Sequence, residues 1–243
     1  MVKHVFEKEL SFRMPQETLG SCGYQCRELY QDMVVVGLCG CTASGKSTLL
    51  SRLQQVVATT VVSCDDFYLP PVQCPRFDLN GLPWAGGTPP EAFLKRGNAD
   101  TNVPAAVDWS RVIEALDAAQ QHMPPPSVVV DGLLLFGDHP GARQVLSLCD
   151  HTVVLWTDER ASLELCQRKY TRAHLGKPSY QERGVAPDDY AAYWEGYVWP
   201  AWLEHGASRI PADALRLDCT QPTATQLDQL LGTGWFPPAA HTR

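Results

Sequence analysis

Residues 33–51 read MVVVGLCGCTASGKSTLLS. An apolar, β-branched run is followed at once by Gly40, four residues, and Gly45-Lys46-Ser47. That spacing is the signature of a phosphate-cradling loop between a strand and a helix. The glycines let successive backbone N–H groups turn inward toward an anion. Cys41, Thr42, Ala43 and Ser44 form the span of the loop, and Thr48 follows it. Lys46 is placed to reach the β- and γ-phosphates, and the Ser47 hydroxyl to ligate Mg2+. Helical spacing continues through Leu49, Leu50, Leu53 and Val56 or Val57, so the anion meets a helix N-terminus.

Outward from this point, buried strands and helices alternate. Strands are expected at about 33–39, 59–64, 127–130, 151–157 and 213–219, and helices at about 46–57, 108–121, 158–174, 187–205 and 223–231. Buried strands alternating with helices predict an α/β fold, a five-stranded parallel sheet covered on both faces. Residues 1–32 match no periodic pattern and are assigned as an extension, 33–231 as the nucleotide-binding domain, and 232–243 as a loose tail. Within the domain, 69–104 is rich in Pro and Gly and is expected to be a long irregular insert, functional or mobile.

The chain has 243 residues, 44% of them hydrophobic, and a net charge of -7. That balance argues against a protein that binds nucleic acid by neutralising its backbone. The sequence has no apolar run near 18 residues, and its first residues lack the apolar core of a signal peptide. A soluble cytoplasmic protein with no membrane partner is therefore expected. Its nine cysteines include no Cys-x-x-Cys pair, so inert thiols are favoured over zinc or disulfides, with an oxidant-sensitive loop at Cys39 and Cys41 as the alternative.

What the loop's phosphate is used for depends on the acids around it. The sequence lacks the guanine-reading Asn-Lys-x-Asp of a GTPase switch. Asp65, in SCDDFY at the end of the second strand, sits where ligands of open α/β sheets gather and can accept the proton of an attacking hydroxyl. The neighbouring Asp66 reads more simply as a turn cap. Asp131, ending SVVV, occupies the position of a carboxylate that holds Mg2+ or its waters. Arg168, Lys169 and Arg172, with His174 beyond, precede a Gly/Pro-rich stretch and suggest a lid over about 168–187. Transfer of phosphate to a small acceptor is the reading that uses all of these.

The segments GCTASGKST, SCDDFY, VVVDGLLLF, CQRKYTR, YWEGYVWPAWL and LDCT, in this order, resemble the nicotinamide riboside kinases of the uridine-kinase-like P-loop nucleoside kinase family. The resemblance spans about residues 33–231. It implies ATP and Mg2+ as cofactors, a nucleoside as acceptor, and phosphorylation of the ribose 5′-hydroxyl. By position it makes Asp65 the general base, close to the metal, with Lys46 catalytic beside it and Ser47 and Asp131 as metal ligands. Asp66, Phe67, Tyr68, Val107, Asp108 and Lys169 fall at the acceptor, with Asp108 on the ribose hydroxyls or serving as a helix cap. Arg168 and Arg172 match lid arginines facing ATP, and Gln221 to Thr223 lie near the adenine edge.

Three positions depart from the family pattern. Lys169 stands where an arginine reads the ribose, and lysine lacks the planar fork. Val107 and His174 stand where aromatic residues sandwich the base, leaving Trp109 or Tyr193 as substitutes. Uridine/cytidine kinase, or another small-molecule kinase, is the alternative within this class. A non-catalytic ATP-binding regulator is the alternative outside it.

Overall fold

The computed structural model describes residues 33–95, 98–121, 127–171 and 178–236, all within the unit Met33–Arg243. Five strands form one parallel sheet: β1 (Val34–Gly40), β2 (Thr59–Ser63), β3 (Ser127–Gly132), β4 (His151–Trp156) and β5 (Leu215–Asp218). Their spatial order is β2-β3-β1-β4-β5. With the loop after the central β1, this is the architecture of a P-loop nucleotide-binding protein, as the alternating pattern predicts.

The central strands β1, β3 and β4 are largely apolar because both of their faces are covered. Val35 and Cys39 of β1, Val128 and Val130 of β3, and Val154 of β4 face one core. Val36, Leu38, Val129, Val153 and Leu155 face the other. Successive side chains of a strand point to opposite faces, so these strands feed both layers. The second core receives Leu49, Leu50 and Leu53 of α1 (Lys46–Val56) and Leu230 of α8 (Thr223–Leu231). Burial of each such leucine contributes about 1.5–3 kcal/mol.

The first core is larger and holds α3 (Trp109–Gln121), α4 (Pro140–Ser147), α5 (Glu159–Tyr170), α6 (Pro187–Tyr193) and α7 (Trp199–His205). Helix α4 was not expected from sequence. It is short, opens with Pro140, and is capped by the His139 ring, which accepts from the Gly141 N–H at 3.1 Å. The single aromatic helix expected at 187–205 is instead α6 and α7 joined by a π-helical turn, Trp194–Val198. The helix expected at 158–174 ends at Tyr170; Arg172 and His174 lie outside the described residues.

Two expectations about irregular segments are corrected. The described part of 69–104 is packed, with Cys74, Leu79, Trp84 and Phe93 of the short helix α2 (Glu91–Leu94) all buried. Its backbone is tied down: Ala85 N–H donates to Asp189 at 2.6 Å, and Tyr197 OH donates to Asp100 at 2.6 Å. Pro and Gly marked irregular backbone there, while its aromatic residues supplied the anchors. Residues 232–236 are not loose either, since Trp235 stacks on His151 at 4.1 Å and Phe236 is buried in the second core. The extension 1–32 and residues 237–243 lie outside the described residues. No helix among the described residues is long and apolar enough to cross a membrane.

Candidate active site

The loop after β1 has the shape that its glycines were read to serve, and each glycine has its own reason. Gly45 has φ 99°, and an added Cβ there would meet nothing within 4 Å, so backbone conformation is the constraint. A Cβ at Gly40 would lie 2.8 Å from Ser44 Oγ and 3.0 Å from the Leu155 carbonyl, so space is the constraint. Ala43 also takes a left-handed φ of 68°. Such sparsely populated backbone persists where surroundings impose it and clusters at binding sites. The first turn of α1 holds no acid, and Ser47 and Thr48 are exposed on it. Its unpaired N–H groups and dipole favour an anion.

Lys46 folds back on the loop. Its Nζ donates to the Gly40 carbonyl at 2.7 Å and to the Cys41 carbonyl at 3.2 Å. Ser44 Oγ is buried without a protein partner. A hydroxyl left without a partner inside such a loop fits a site whose last hydrogen bond comes from a phosphate ligand.

The acids expected at the strand ends meet here. Ser63 pairs with Asp131 in the β2–β3 register, and Leu38 pairs with Asp131 in the β1–β3 register. Asp131 lies inside β3, one residue before its end, rather than beyond it. It is 5% exposed and accepts a hydrogen bond from Ser63. Burial pushes its carboxyl above the usual range, Lys46 opposes that, and Asp65 and Asp66 add to it as like charges. Lys46, Asp65 and Asp66 are therefore all close enough to act on Asp131. Asp65 and Asp66 are exposed on a 3-10 turn, Cys64–Phe67, immediately after β2. Gly132 allows that turn to lie against β3, because a Cβ there would sit 2.8 Å from Cys64 Cβ.

Oxygen donors of this kind fit Mg2+, which is held by one or two carboxylates and keeps waters and phosphate oxygens as its other ligands. Among the described residues, no three His, Cys, Asp or Glu side chains are grouped to hold a metal by themselves. Ser47, Asp131 and Asp65 offer oxygen atoms that could hold such an ion beside a bound phosphate.

The remaining candidates fall into two groups. Asp108 Oδ1 accepts from the Arg111 N–H at 3.3 Å, so it caps α3 as the simpler reading held. It is also joined to the 3-10 turn, since its N–H donates to the Phe67 carbonyl at 2.8 Å. Tyr68 and Val107 form an antiparallel bridge, and Arg111 lies over the Phe67 ring at 5.5 Å. Val107 is buried and presents no ring. Trp109 is excluded as a substitute: it is 3% exposed, and its indole donates to the Pro104 carbonyl at 2.8 Å. Tyr193 remains, half-buried beside Phe93.

At the other end of the sheet, α5 packs against the loop. Ser162 hydrogen-bonds the Cys41 thiol, and Cys166 is near enough to influence it. Arg168 is exposed at the end of α5 and interacts electrostatically with Cys219, just after β5. Gln221 and Thr223 follow there, in a turn held by Gln226 Nε2 donating to the Asp218 and Gln221 carbonyls at 3.0 and 3.2 Å. Arg168, Gln221 and Thr223 thus share one corner of the carboxyl edge. Lys169 is half-buried and acts on the Cys166 thiol.

No family model matches the chain. It is 28% identical over 196 residues to nicotinamide riboside kinase 1 of Mus musculus, covering 77% of this chain and 86% of that one. The Rattus norvegicus protein of the same name is 27% identical over the same length. Among solved structures, a candidate fructose transport system kinase from Silicibacter sp. TM1040 superposes with a TM-score of 0.51 at 19% identity, covering 77% of this chain and 90% of that one. The structural likeness concerns the fold. Together with the sequence relatives it supports a kinase of the P-loop type that acts on a small molecule.

Proposed function

We propose that the protein transfers the γ-phosphate of ATP to the ribose 5′-hydroxyl of nicotinamide riboside, with Mg2+. The observation that carries this reading is the convergence of Lys46, Asp65 and Asp131 where β1, β2 and β3 end beside the loop. The acceptor is taken from the relatives named for it.

In the reaction, a lone pair of the 5′-oxygen forms the bond to the γ-phosphorus while the bond to the β–γ bridging oxygen breaks. ADP leaves with that electron pair. The hydroxyl proton passes to a carboxylate oxygen of Asp65, which first orients the hydroxyl for in-line attack. Lys46 leaves the loop carbonyls for the β- and γ-oxygens, where its charge stabilises the transition state. Mg2+ supplies neutralisation of phosphate charge when bound. Asp108 keeps a carboxylate oxygen for the ribose diol while the other caps α3. Arg168 meets ATP from the α5 side.

Val107 favours keeping a second acceptor in view. Its buried aliphatic side chain cannot stack on a base, so uridine, cytidine and simple sugars belong in the same assay. The test is ADP formation by purified protein across that panel. Turnover highest with nicotinamide riboside supports the reading. Preference for uridine or cytidine replaces the acceptor, and ADP formation indifferent to every acceptor removes the transferase activity.

A further inference from the structure

Gln226 of α8 is only 3% exposed, so its amide is turned into the protein. The Nε2 group donates to two backbone carbonyls, that of Asp218 at 3.0 Å and that of Gln221 at 3.2 Å. These carbonyls belong to the turn that leaves β5 and enters α8. The same turn is bonded within itself and to β4. Asp218 Oδ1 accepts from the Thr220 N–H at 2.8 Å and from the Thr220 hydroxyl at 2.7 Å. Gln221 N–H donates to the Asp218 carbonyl at 3.2 Å, and Cys219 N–H to the Trp156 carbonyl at 2.9 Å. Thr220 and Gln221 nevertheless stand exposed at its surface. Exposed polar groups on a loop fixed by its scaffold are where binding residues concentrate.

The sheet sets the distance from this turn to the phosphate loop. Gly40 pairs with Leu155, and Leu155 pairs with Leu217, so the three share one row across β1, β4 and β5. Two strand spacings put Leu217 about 10 Å from Gly40. The acids read as metal and acceptor groups lie on the other side of β1, at the ends of β3 and β2. A triphosphate whose γ end faces those acids carries its sugar and base toward β4 and β5. Arg168 of α5 acts on Cys219 at the same corner.

We infer that Gln226 is a positioning residue for ATP: it holds the 218–223 turn so that the turn's exposed edge meets the nucleoside end of the nucleotide. The inference rests on the ATP-dependent reading above. Gln226 acts without touching the nucleotide, because its amide N–H groups are engaged by the two carbonyls of the turn. Removing the donor leaves both carbonyls short of a partner and frees the turn from α8.

Calorimetric dissociation constants for ATP and for tripolyphosphate, the same phosphates without sugar or base, test it in the presence of Mg2+. Wild-type protein, Gln226→Leu and Gln226→Glu are compared at pH 8. Each substitution is expected to weaken ATP about tenfold and to leave tripolyphosphate within twofold, because the phosphate loop is not held by Gln226. The Gln226→Glu variant also carries a rescue. Its carboxylate cannot donate at pH 8, whereas the protonated carboxyl donates one hydrogen bond, so its ATP-to-tripolyphosphate ratio should recover toward that of wild-type protein at pH 5.5. This comparison within one protein carries the test if Gln226→Leu misfolds. Parallel loss of both ligands in a folded variant, or unchanged ATP affinity, overturns the inference and leaves the kinase reading standing. Wild-type protein that binds neither ligand removes that reading and the inference with it.

Discussion

The Lys46 ammonium rests 2.7 Å from the carbonyl of Gly40, the residue that opens its own loop. A cation held by two backbone carbonyls is stored close to where it is used, and phosphate oxygens outcompete them because a charged acceptor binds an ammonium more strongly. Lys46→Met keeps the stem and removes the charge. It is expected to lower phosphoryl transfer by about a hundred- to a thousandfold, the cost of removing one stabilising group from a developing anion. Circular dichroism should be unchanged. Near-normal turnover in the folded variant would remove Lys46 from the chemistry.

Gly132 lets the 3-10 turn that carries Asp65 lie against β3. An alanine methyl there would sit 2.8 Å from Cys64 Cβ, and overpacking of this kind costs about 1–3 kcal/mol. The strain is relieved by moving the 3-10 turn that carries Asp65. Gly132→Ala is therefore expected to lower kcat more than it lowers thermal stability, and the Gly132→Ala/Cys64→Ser pair to recover little, because the clash includes Cβ. Unaltered kcat would show that the turn tolerates displacement.

Asp131 links the site to stability. Its folded-state pKa is raised, chiefly by burial, above the ordinary 3.8. The folded protein then holds its proton more tightly than the unfolded chain, so this residue's contribution falls as pH rises from the unfolded value through the folded one. In the presence of chelator, Asp131→Asn is expected to raise Tm by a few degrees at pH 7.5, with the gain shrinking toward pH 4.5. The same variant should need more Mg2+ for half-maximal rate, since an amide is a poorer ligand for a hard cation. A lower Tm at pH 7.5 would contradict the electrostatic part of this account.

The cysteines of the described chain are predicted to be poor nucleophiles. Burial pushes the thiol of Cys39 up to about 11 and those of Cys149 and Cys166 up to about 12, raises Cys41 further, and lifts Cys64 well above its ordinary value. At pH 7.5 the thiolate is scarce as well as shielded. Alkylation of native protein with iodoacetamide, read by peptide mass spectrometry, should leave Cys39, Cys41, Cys64 and Cys166 unmodified until the chain is unfolded. Rapid labelling of Cys41 would restore the oxidant-sensitive loop.

How much of this was legible in the sequence varied with the kind of signal. The sheet was legible because four runs rich in β-branched residues alternate with helical stretches, and the loop because its glycines are needed at fixed spacing. Asp65 and Asp131 were legible by position, since parallel strands all deliver their ends to one edge. Helix α4 escaped because its signals, Pro140 at the first position and a histidine cap, occupy only two residues of a short helix. The π-helical turn left no periodicity to read. The 69–104 segment misled most: Pro and Gly described its backbone correctly, but its order depends on Ala85, Phe93 and Asp100 finding distant partners in Asp189, Tyr193 and Tyr197.

The central claim is that Asp65 takes the proton of an acceptor hydroxyl as ATP's γ-phosphate moves to it. The direct measurement is single-turnover transfer of label from γ-labelled ATP to nicotinamide riboside, with the product identified by mass, in wild-type protein and Asp65→Asn across a Mg2+ titration. The account predicts labelled nicotinamide mononucleotide with wild-type protein, and a depressed rate in Asp65→Asn that excess Mg2+ does not restore. Full recovery of the variant at high Mg2+ would make Asp65 a metal ligand rather than a base, and absence of the labelled mononucleotide with wild-type protein would contradict the account itself.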